Sequence, residues 1–337
     1  MTTSVSAPTL ADVARLAGVS SATASRVLTG STCVLPETRR KVEEAMTRLG
    51  YVRNRAPRAA PPRRTGAIAL VVAEANVKVF ADPFFARILR GVSMGLAAVD
   101  TQLVLLTLHT PRDYRTVARY LRGGHVDGAF FISMHSGPAF DVAGLGMPVM
   151  LCGRPVSGGD RLGYVDADNV QGARNAVNYL LAAGRTTVAT IAGPPDMSPG
   201  IDRLTGYRQA MTAAGVHDPG MIAYGDFTRR AGEHALFRLI DHRPRLDAVF
   251  AASDLMALGA IDALRRLGRR VPDDVAVLGF DDLPQSRLAS PRLSTVRQPL
   301  DDMAARMVGE MLGLVQDPGR ESVQVVLETE LILRDSA

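Results

Sequence analysis

The first fifty residues carry three short stretches in which apolar side chains recur at the spacing of an α-helix. The first, residues 10–17, ends at Gly18, the second covers 21–28, and the third covers 36–49 and ends at Gly50. Two short helices joined by a tight glycine turn predict a helix-turn-helix. The positions expected to face a common core are Leu10, Val13, Leu16, Ala17, Ala24, Val27, Leu28, Val42, Ala45, Met46 and Leu49.

Polar residues stand where the first two of these helices need caps. Thr9 and Asp12 fit a capping box, in which the hydroxyl accepts a helix-start amide and the acid complements the positive end. Ser20 is placed to cap the second helix. The caps therefore predict the same helix starts as the apolar periodicity.

From Gly66 onward, short apolar runs alternate with amphipathic helical segments. The first series has apolar runs at 66–73, 102–108, 127–133 and 148–152, with helical segments at 83–98 and 113–121. After a break near Arg161, a second series has helical segments at 169–183, 201–214, 228–241 and 255–267, with apolar runs at 187–193, 221–225, 247–253 and 274–280. This alternation predicts βα units around parallel sheets. Two such arrays predict two lobes with a ligand cleft between their facing edges.

Charge is divided unevenly between these two regions. Residues 1–65 hold eleven Arg or Lys against four acidic residues, a net charge of +7; because the whole chain carries +5, the remainder carries −2. A basic head on a slightly acidic body is typical of a polyanion-binding module joined to a sensor, and a solvated basic surface is the alternative. Residues 55–65 are rich in proline and arginine and predict a basic linker.

The sequence lacks the patterns that several classes of protein require. The first nine residues resemble no secretory signal, and no apolar run approaches the ~18 residues of a membrane span, so we expect a cytoplasmic protein with no membrane partner. Cys33 and Cys152 form no CxxC or zinc spacing and predict no disulfide. The six histidines are scattered, so we expect no metal.

Two short motifs resemble catalytic or cofactor signatures but stand in the wrong context. Ser93 has the spelling of a nucleophile elbow, which requires a strand before the serine, yet it lies within a helical stretch. Gly144 and Gly146 precede a strand and lack the third glycine of a dinucleotide fingerprint. The sequence therefore predicts neither an enzyme nor a cofactor.

The head segments DVARLAGVSSATASRVLTG and ETRRKVEEAMTRLGY, followed by Asn54, resemble the DNA-binding head of the lactose/galactose-repressor family. The segments DPFFARILRG, VDADNVQGA, RLTGY, ASDLMALGAIDAL, VPDDVAVLGFDD and SPRLSTVRQP resemble that family's sensor, which is similar to periplasmic sugar-binding proteins. The resemblance covers nearly the whole chain. It implies an all-α helix-turn-helix head followed by a two-lobed α/β sensor with two parallel sheets.

The resemblance also implies boundaries for these parts. The head is expected at 1–54, the linker or hinge at 55–65 and the sensor at 66–337. In such folds the chain crosses between lobes three times. Lobe one is therefore expected at about 66–162 plus 296–320, and lobe two at about 163–295 plus 321–337.

In a helix-turn-helix the second helix enters the major groove of duplex DNA. By resemblance, Ser21, Ala22 and Arg26 occupy base-reading positions, and Thr23 and Ser25 lie near phosphates or are ordinary solvent-facing residues. Arg26 is the strongest candidate because a guanidinium bonds guanine O6 and N7 together; a surface arginine at a helix end is the alternative. The full predicted set is Thr9, Ser20, Ser21, Ala22, Thr23, Ser25, Arg26, Tyr51, Asn54, Arg55 and Arg58.

The linker departs from the family pattern. In the family, a hinge helix inserts a leucine into the minor groove, whereas Ala60 stands at that position here and Pro61 and Pro62 follow it. The two prolines limit any helix to about one turn, and an alanine methyl is a poor wedge. We expect Arg58, Arg63 and Arg64 to contact the operator centre without strong kinking.

For the sensor, the resemblance implies a cleft that binds a small, sugar-like molecule. A neutral polyol needs planar polar groups for its hydroxyls and an aromatic face beneath its ring. The matching positions are Asp82, Phe84, Arg203, Phe227, Asp254 and Asp281. Alternatives remain open, because Asp254 suits a helix cap, Asp281 suits a turn, and Phe227 suits the core.

Together these inferences predict a transcriptional repressor that binds double-stranded operator DNA as a homodimer and responds to a sugar-like effector. Release of DNA on effector binding is favoured over co-repression. The alternatives are a solute-binding protein without DNA function, and a regulator that responds to a nucleobase or a protein.

Overall fold

The computed structural model describes residues 8–28, 34–51, 64–136, 142–157, 162–216 and 218–337. The chain divides into two units. One comprises Met1–Thr65 with Ala118–His125, and the other comprises Gly66–Val117 with Val126–Ala337.

The described part of the head contains three helices, α1 (Leu10–Ala17), α2 (Ser21–Leu28) and α3 (Pro36–Leu49), at the predicted positions. The predicted capping box is present, because the Thr9 hydroxyl accepts from the Asp12 amide and the Asp12 carboxylate accepts from the Thr9 amide. Ser20 accepts the Thr23 amide at the start of α2. The chain leaves α1 through Gly18 at φ +67°, in the left-handed region that suits glycine.

The three helices of the head enclose a small apolar core. Its fully buried members are Val13, Ala14, Ala24, Val27, Val42 and Ala45, two from each helix. α2 contributes the buried residues Ala24 and Val27 to this core, so its other side faces away from the core.

The sensor is built from alternating strands and helices. Its strands are β1 (Ala67–Val72), β2 (Gln102–Thr107), β3 (Gly128–Ile132), β4 (Val149–Cys152), β5 (Gly163–Ala167), β6 (Val188–Ala192), β7 (Ile222–Tyr224), β8 (Ala248–Ala251), β9 (Ala276–Asp281), β10 (Ser294–Arg297), β11 (Gln324–Leu327) and β12 (Glu330–Ile332). Its helices are α4 (Asn76–Ala81), α5 (Pro83–Ala97), α6 (Pro111–Arg122), α7 (Asn169–Ala182), α8 (Ser198–Ala213), α9 (Arg229–His242), α10 (Asp254–Arg266), α11 (Pro284–Leu288) and α12 (Leu300–Gln316).

The strands form two six-stranded sheets, one for each predicted lobe. The strand order is β11-β5-β4-β3-β1-β2 in the first and β12-β10-β9-β8-β6-β7 in the second. The neighbours are parallel except β10 and β12, which pair antiparallel. The predicted two-lobed α/β architecture is therefore present, with one antiparallel edge strand.

The strand orders correct the predicted lobe limits. Residues 163–167 were expected in lobe two, yet they form β5 in the first sheet. The first crossing therefore follows Ala167 rather than residue 162. Residues 324–327 also join the first sheet, as β11, so the third crossing falls between β11 and β12 rather than near 320.

Each lobe has its own apolar core. In lobe one, α5 and α12 cover one face of the sheet, with Ile88, Val92, Ala304 and Met307 fully buried between them. In lobe two, α9 and α10 cover one face and α7 and α8 pack together over the other. Strands covered on both faces read as nearly continuous apolar runs, which is why the sequence revealed them. Across the described ranges, no helix combines the length and hydropathy needed to span a membrane.

A buried carboxylate ties the C-terminal segment to lobe two. Asp282, which follows β9, accepts from Arg287 at 2.9 Å, from Arg297 at 2.8 Å, and from Arg334. Burial alone would raise the pKa of Asp282, but the hydrogen bonds from Arg334, Arg287 and Arg297 outweigh it and lower the pKa to about 2.

This cluster predicts a pH-dependent contribution to stability. Because the folded pKa lies below the ordinary value of 3.8, the contribution is fully present above about pH 4 and is lost as pH falls through 2. We expect Asp282→Asn to unfold with a free energy about 2 kcal/mol lower at pH 7. Urea titrations at several pH values should show the difference narrowing below pH 4. A difference that stays constant down to pH 2 would contradict the assignment.

Candidate functional site

A cleft lies between the two lobes at the carboxyl ends of their strands. In open α/β sheets this edge is where ligands bind. Five of the six predicted ligand residues line it, namely Asp82, Phe84, Arg203, Phe227 and Asp281. The structure therefore brings together side chains from residues nearly 200 positions apart.

Arg203 is held rigidly at the base of the cleft. It projects from α8; its Nε donates to Asn169 Oδ1 at 2.8 Å, and its Nη1 donates to the Ala252 carbonyl at 2.6 Å and to Asp281 Oδ1 at 3.2 Å. The guanidinium carbon lies 3.8 Å from the centre of the Phe280 ring. Because Arg203 is only 4% exposed and is bonded to these partners, its guanidinium is held in one orientation at the cleft.

Asp281 is the acidic partner of this arrangement. Its Oδ1 also accepts from Gln298 Nε2 at 2.6 Å. Burial raises the pKa of Asp281 to about 6, although Arg203 and Gln298 oppose that rise. A carboxylate beside a guanidinium offers an acceptor and a donor at neighbouring positions, which suits two adjacent hydroxyls.

Two aromatic rings line the same cleft from opposite lobes. Phe84, in α5, belongs to lobe one; the backbone before it is fixed because Asp82 Oδ1 accepts the Phe84 amide at 2.9 Å. Phe227 belongs to lobe two and lies against Gly193, where an added Cβ would come within 2.4 Å of the ring. Lys78 Nζ lies 5.9 Å from the centre of the Phe227 ring. The rings supply the apolar faces that sugar rings stack on.

Backbone strain is concentrated around the cleft. Among the described non-glycine residues, five have positive φ, and three of these line the cleft: Ser133 at φ 61°, Phe227 at φ 70° and Asp281 at φ 119°. Such conformations cost free energy and persist where the surrounding structure enforces them, often at binding sites.

The prediction that Asp254 contacts the ligand is corrected by the structure. Its side chain is fully buried and does not line the cleft; it accepts from the Leu283 amide at 2.8 Å and from the hydroxyls of Ser286 and Thr295. Burial raises the pKa of Asp254 to about 8. Ser253, rather than Asp254, caps α10. Asp254 therefore fixes the loop that follows Asp281.

Several cleft residues were missed at the sequence level. Glu74 follows β1, Arg154 follows β4, Asp166 lies within β5 and Gln298 follows β10. Each stands at or near the carboxyl end of a strand, which is the signal that could have identified them. Asp166 Oδ1 accepts from Asn169, and burial raises the pKa of Asp166.

In the head, α2 presents one side to solvent. Ser21, Ala22, Ser25 and Arg26 are exposed, and Thr23 is half-buried. The hydroxyls of Thr9 and Ser20 are engaged in helix capping, and Tyr51 packs partly buried against the head core. Part of the predicted DNA interface lies outside the described residues. This part comprises Asn54, Arg55, Arg58, and Ala60 with its neighbouring prolines.

Comparisons with known proteins agree with this arrangement. Residues 9–54 match the model for bacterial regulatory proteins of the lacI family, and residues 177–337 match the periplasmic binding protein-like domain. The chain is 44% identical over 333 residues to the HTH-type transcriptional regulator CelR of Thermobifida fusca, covering 98% of both proteins. The chain belongs to the lacI family of bacterial regulatory proteins.

Other transcriptional regulators resemble it over nearly their whole length. It is 33% identical to the HTH-type transcriptional repressor CytR of Escherichia coli K12, over 98% of this chain and 96% of CytR. The solved CelR–cellobiose complex superposes with a TM-score of 0.79 at 43% identity, covering 98% of this chain and all of that one. The lac repressor dimer bound to operator and the anti-inducer ONPF superposes with a TM-score of 0.72 at 26% identity over 98% and 99%.

These matches confirm the predicted family and fold. This lacI-family chain is a helix-turn-helix transcriptional regulator with a periplasmic-binding-protein-like sensor. The match to the head over residues 9–54 rules against the alternative of a solute-binding protein without a DNA-binding module.

Proposed function

We propose that this protein is a cytoplasmic, homodimeric repressor whose operator affinity falls when an uncharged sugar binds between its lobes. The single observation that carries the proposal is the Arg203–Asp281 pair, fixed at the base of the cleft and flanked by Phe84 and Phe227. That arrangement offers donors, acceptors and an apolar face at once, as a sugar ring with vicinal hydroxyls requires. We assign the protein no catalytic activity.

The charges in the cleft favour an uncharged effector. Each cationic residue that lines it is already paired with a carboxylate: Lys78 with Glu74 at 2.6 Å, Arg203 with Asp281 at 3.2 Å, and Arg154 with Asp202. Asp82 and Asp166 add further carboxyl groups, and burial raises the pKa of both. A phosphate or carboxylate entering this cleft would meet more negative than positive charge and lose its water without gaining a free cation.

Cellobiose is our first candidate for the effector. CelR, the regulator solved with cellobiose, resembles this chain over its full length. The residues that we propose to contact the sugar are Asp82, Phe84, Arg203, Phe227 and Asp281.

On the DNA side, we propose that α2 enters the major groove. Ser21, Ala22 and Arg26 would face base edges, and Thr23 and Ser25 would face phosphates. The paired heads of a dimer would span the two half-sites of a pseudo-palindromic operator, and lobe closure on the effector would change their spacing.

Calorimetry and gel shifts test the proposal together. We expect cellobiose to bind the full-length protein, cellobiose 6-phosphate to bind at least about tenfold more weakly, and cellobiose to release the protein from the DNA upstream of its own gene. Random duplex at the same salt concentration is the control for sequence-independent binding. Tight binding of the phosphorylated sugar, or of a nucleobase in place of any sugar, would overturn the effector class.

A further inference from the structure

The two lobes contact each other through a pair of charged side chains at the cleft. Arg154 follows β4 in lobe one, and Asp202 lies in α8 of lobe two. Arg154 Nε donates to Asp202 Oδ2 at 2.7 Å, and its Nη2 donates to Asp202 Oδ1. The Ser198 hydroxyl, from the same helix as Asp202, donates to the Arg154 carbonyl at 2.6 Å. Two parallel hydrogen bonds fix the relative position of the groups more strongly than a single contact.

This pair is partly shielded from water. The exposed fraction of the side chain is 34% for Arg154 and 11% for Asp202. Fully exposed ion pairs contribute little because water and salt screen them. Asp202 is mostly buried, and two hydrogen bonds join it to Arg154. We therefore expect this pair to contribute more free energy than a fully exposed ion pair.

A second contact joins the lobes a short distance along the chain. His135, after β3 in lobe one, has its Nδ1 2.8 Å from Asp196 Oδ2 in lobe two and its Nε2 3.5 Å from Glu74 Oε1 in lobe one. The Ser136 amide donates to the Asp196 carbonyl at 2.7 Å. The charged groups that face His135 are therefore Glu74 and Asp196, and Lys78 Nζ donates to the same Glu74 oxygen, Oε1, at 2.6 Å.

These contacts can form only when the lobes are close together. Only the three chain crossings connect the two sheets covalently, so a rotation about the crossings would separate Arg154 from Asp202 and His135 from Asp196. Of these four residues, only Arg154 lines the cleft. Asp202, His135 and Asp196 are thus placed to change the balance between closed and open forms without contacting a ligand.

We propose that the pairs Arg154–Asp202 and His135–Asp196 form an interlobe clasp that stabilises the closed form and thereby sets effector affinity. The proposal rests on the function proposed above, because it assumes that the effector binds the closed cleft. A ligand that requires the closed form has an apparent affinity proportional to the closed fraction of the free protein. The clasp residues are positioning residues in this scheme, since they act through the lobes.

The first test compares Asp202→Asn with Asp218→Asn in the full-length protein. Asp218 pairs with Arg243, which donates through Nη2 at 3.0 Å and Nε at 3.3 Å, and both belong to lobe two. It is therefore a matched Arg–Asp pair that does not join the lobes. We expect Asp202→Asn to weaken cellobiose binding about tenfold, Asp202→Glu to recover part of the loss, and Asp218→Asn to match wild type. Equal affinities for Asp202→Asn and Asp218→Asn would overturn the proposal.

A second readout needs no effector. Because the Ser136 amide donates across the lobes, its hydrogen–deuterium exchange reports how often the clasp opens. We expect faster exchange at Ser136 in Asp202→Asn than in Asp218→Asn, with similar exchange in β6 and β9. If wild type does not bind cellobiose, the sugar proposal fails while this exchange comparison still decides the clasp. Unchanged exchange at Ser136 would overturn the clasp even where cellobiose binds.

The histidine adds a signature in the pH profile. The hydrogen bond to Glu74, and then the contact with Asp196, raise the pKa of His135. Glu74 lies in the same lobe as His135, so only the contact with Asp196 depends on closure. Through that contact the protonated ring supports closure at low pH, and we expect cellobiose affinity to fall by about threefold as pH rises through that pKa. Asp281 titrates both in wild type and in His135→Gln, so the difference between their profiles isolates the histidine. Superimposable profiles would remove His135 from the clasp.

Discussion

Replacement of Arg203 by lysine is expected to weaken effector binding by at least about 100-fold while leaving operator binding without effector unchanged. Lysine keeps the charge but loses the planar fork that reaches Asn169, the Ala252 carbonyl and Asp281 together. The donor geometry offered to the sugar would change with it. Operator affinity should persist because Arg203 lies in the sensor unit, whereas DNA is bound by the head.

Lysine is preferred to alanine here for a structural reason. Alanine would leave Asp281, which is 6% exposed, without its cationic partner, and breaking a buried pair in this way costs roughly 3–5 kcal/mol of folding free energy. Loss of response could then reflect unfolding. For Arg203→Lys, calorimetry with cellobiose measures effector binding and urea unfolding measures stability. The two measurements therefore distinguish loss of binding from loss of folding.

The matched control is Arg185→Lys in the same lobe. Arg185 also donates to backbone carbonyls, those of Pro272 at 2.7 Å and Asp247 at 3.3 Å, but it does not line the cleft. Its replacement should lower stability without changing effector affinity. If Arg185→Lys weakened cellobiose binding as much as Arg203→Lys, or if Arg203→Lys responded like wild type, the assignment of the cleft would be wrong.

The head was the part of the fold most completely predictable from sequence. Its three helices begin and end where Thr9, Ser20, Gly18 and Gly50 indicated, because caps and left-handed glycines act over one turn of chain. Local chemistry alone specifies these ends, so no knowledge of distant contacts was needed.

Elements that depend on distant partners were harder to predict. β5 was not predicted, and Gly163–Ala167 was assigned to lobe two, yet it completes the first sheet between β4 and β11. α4 has no side-chain cap and was not predicted. For β5, tertiary pairing outweighs weak local preference.

The cleft residues likewise differ in how well the sequence predicted them. The position of Arg203 and Asp281 at the cleft was predictable from the family resemblance. The position of Asp254 was not, because the sequence pattern of an aspartate beside a helix start is the same whether it faces a cleft or fixes a loop. The Arg154–Asp202 contact joins residues 48 positions apart on different lobes. No spacing rule along the chain encodes it, since it depends on the separation of the lobes.

Replacement of Arg26 by alanine is expected to relax base preference at one operator position by about 1–3 kcal/mol. Arg26 is exposed in the last turn of α2, the helix that we propose lies in the major groove, and a guanidinium bonds guanine O6 and N7 together. The small Ser21 and Ala22 offer little direct readout, so most of the discrimination from this helix should depend on Arg26.

Selection of binding sites from a random duplex library measures this effect. The selection is carried out with wild type, Arg26→Ala and Arg48→Ala at one salt concentration. Arg48 is an exposed arginine of α3, so its removal deletes the same charge from the head outside the proposed reading helix. Both variants should therefore lose a similar share of sequence-independent, salt-dependent affinity. Only Arg26→Ala should flatten the preference at one symmetric pair of positions, because a base contact carries sequence information and a phosphate contact does not. A preference profile unchanged in Arg26→Ala, or flattened equally in Arg48→Ala, would remove Arg26 from the reading surface.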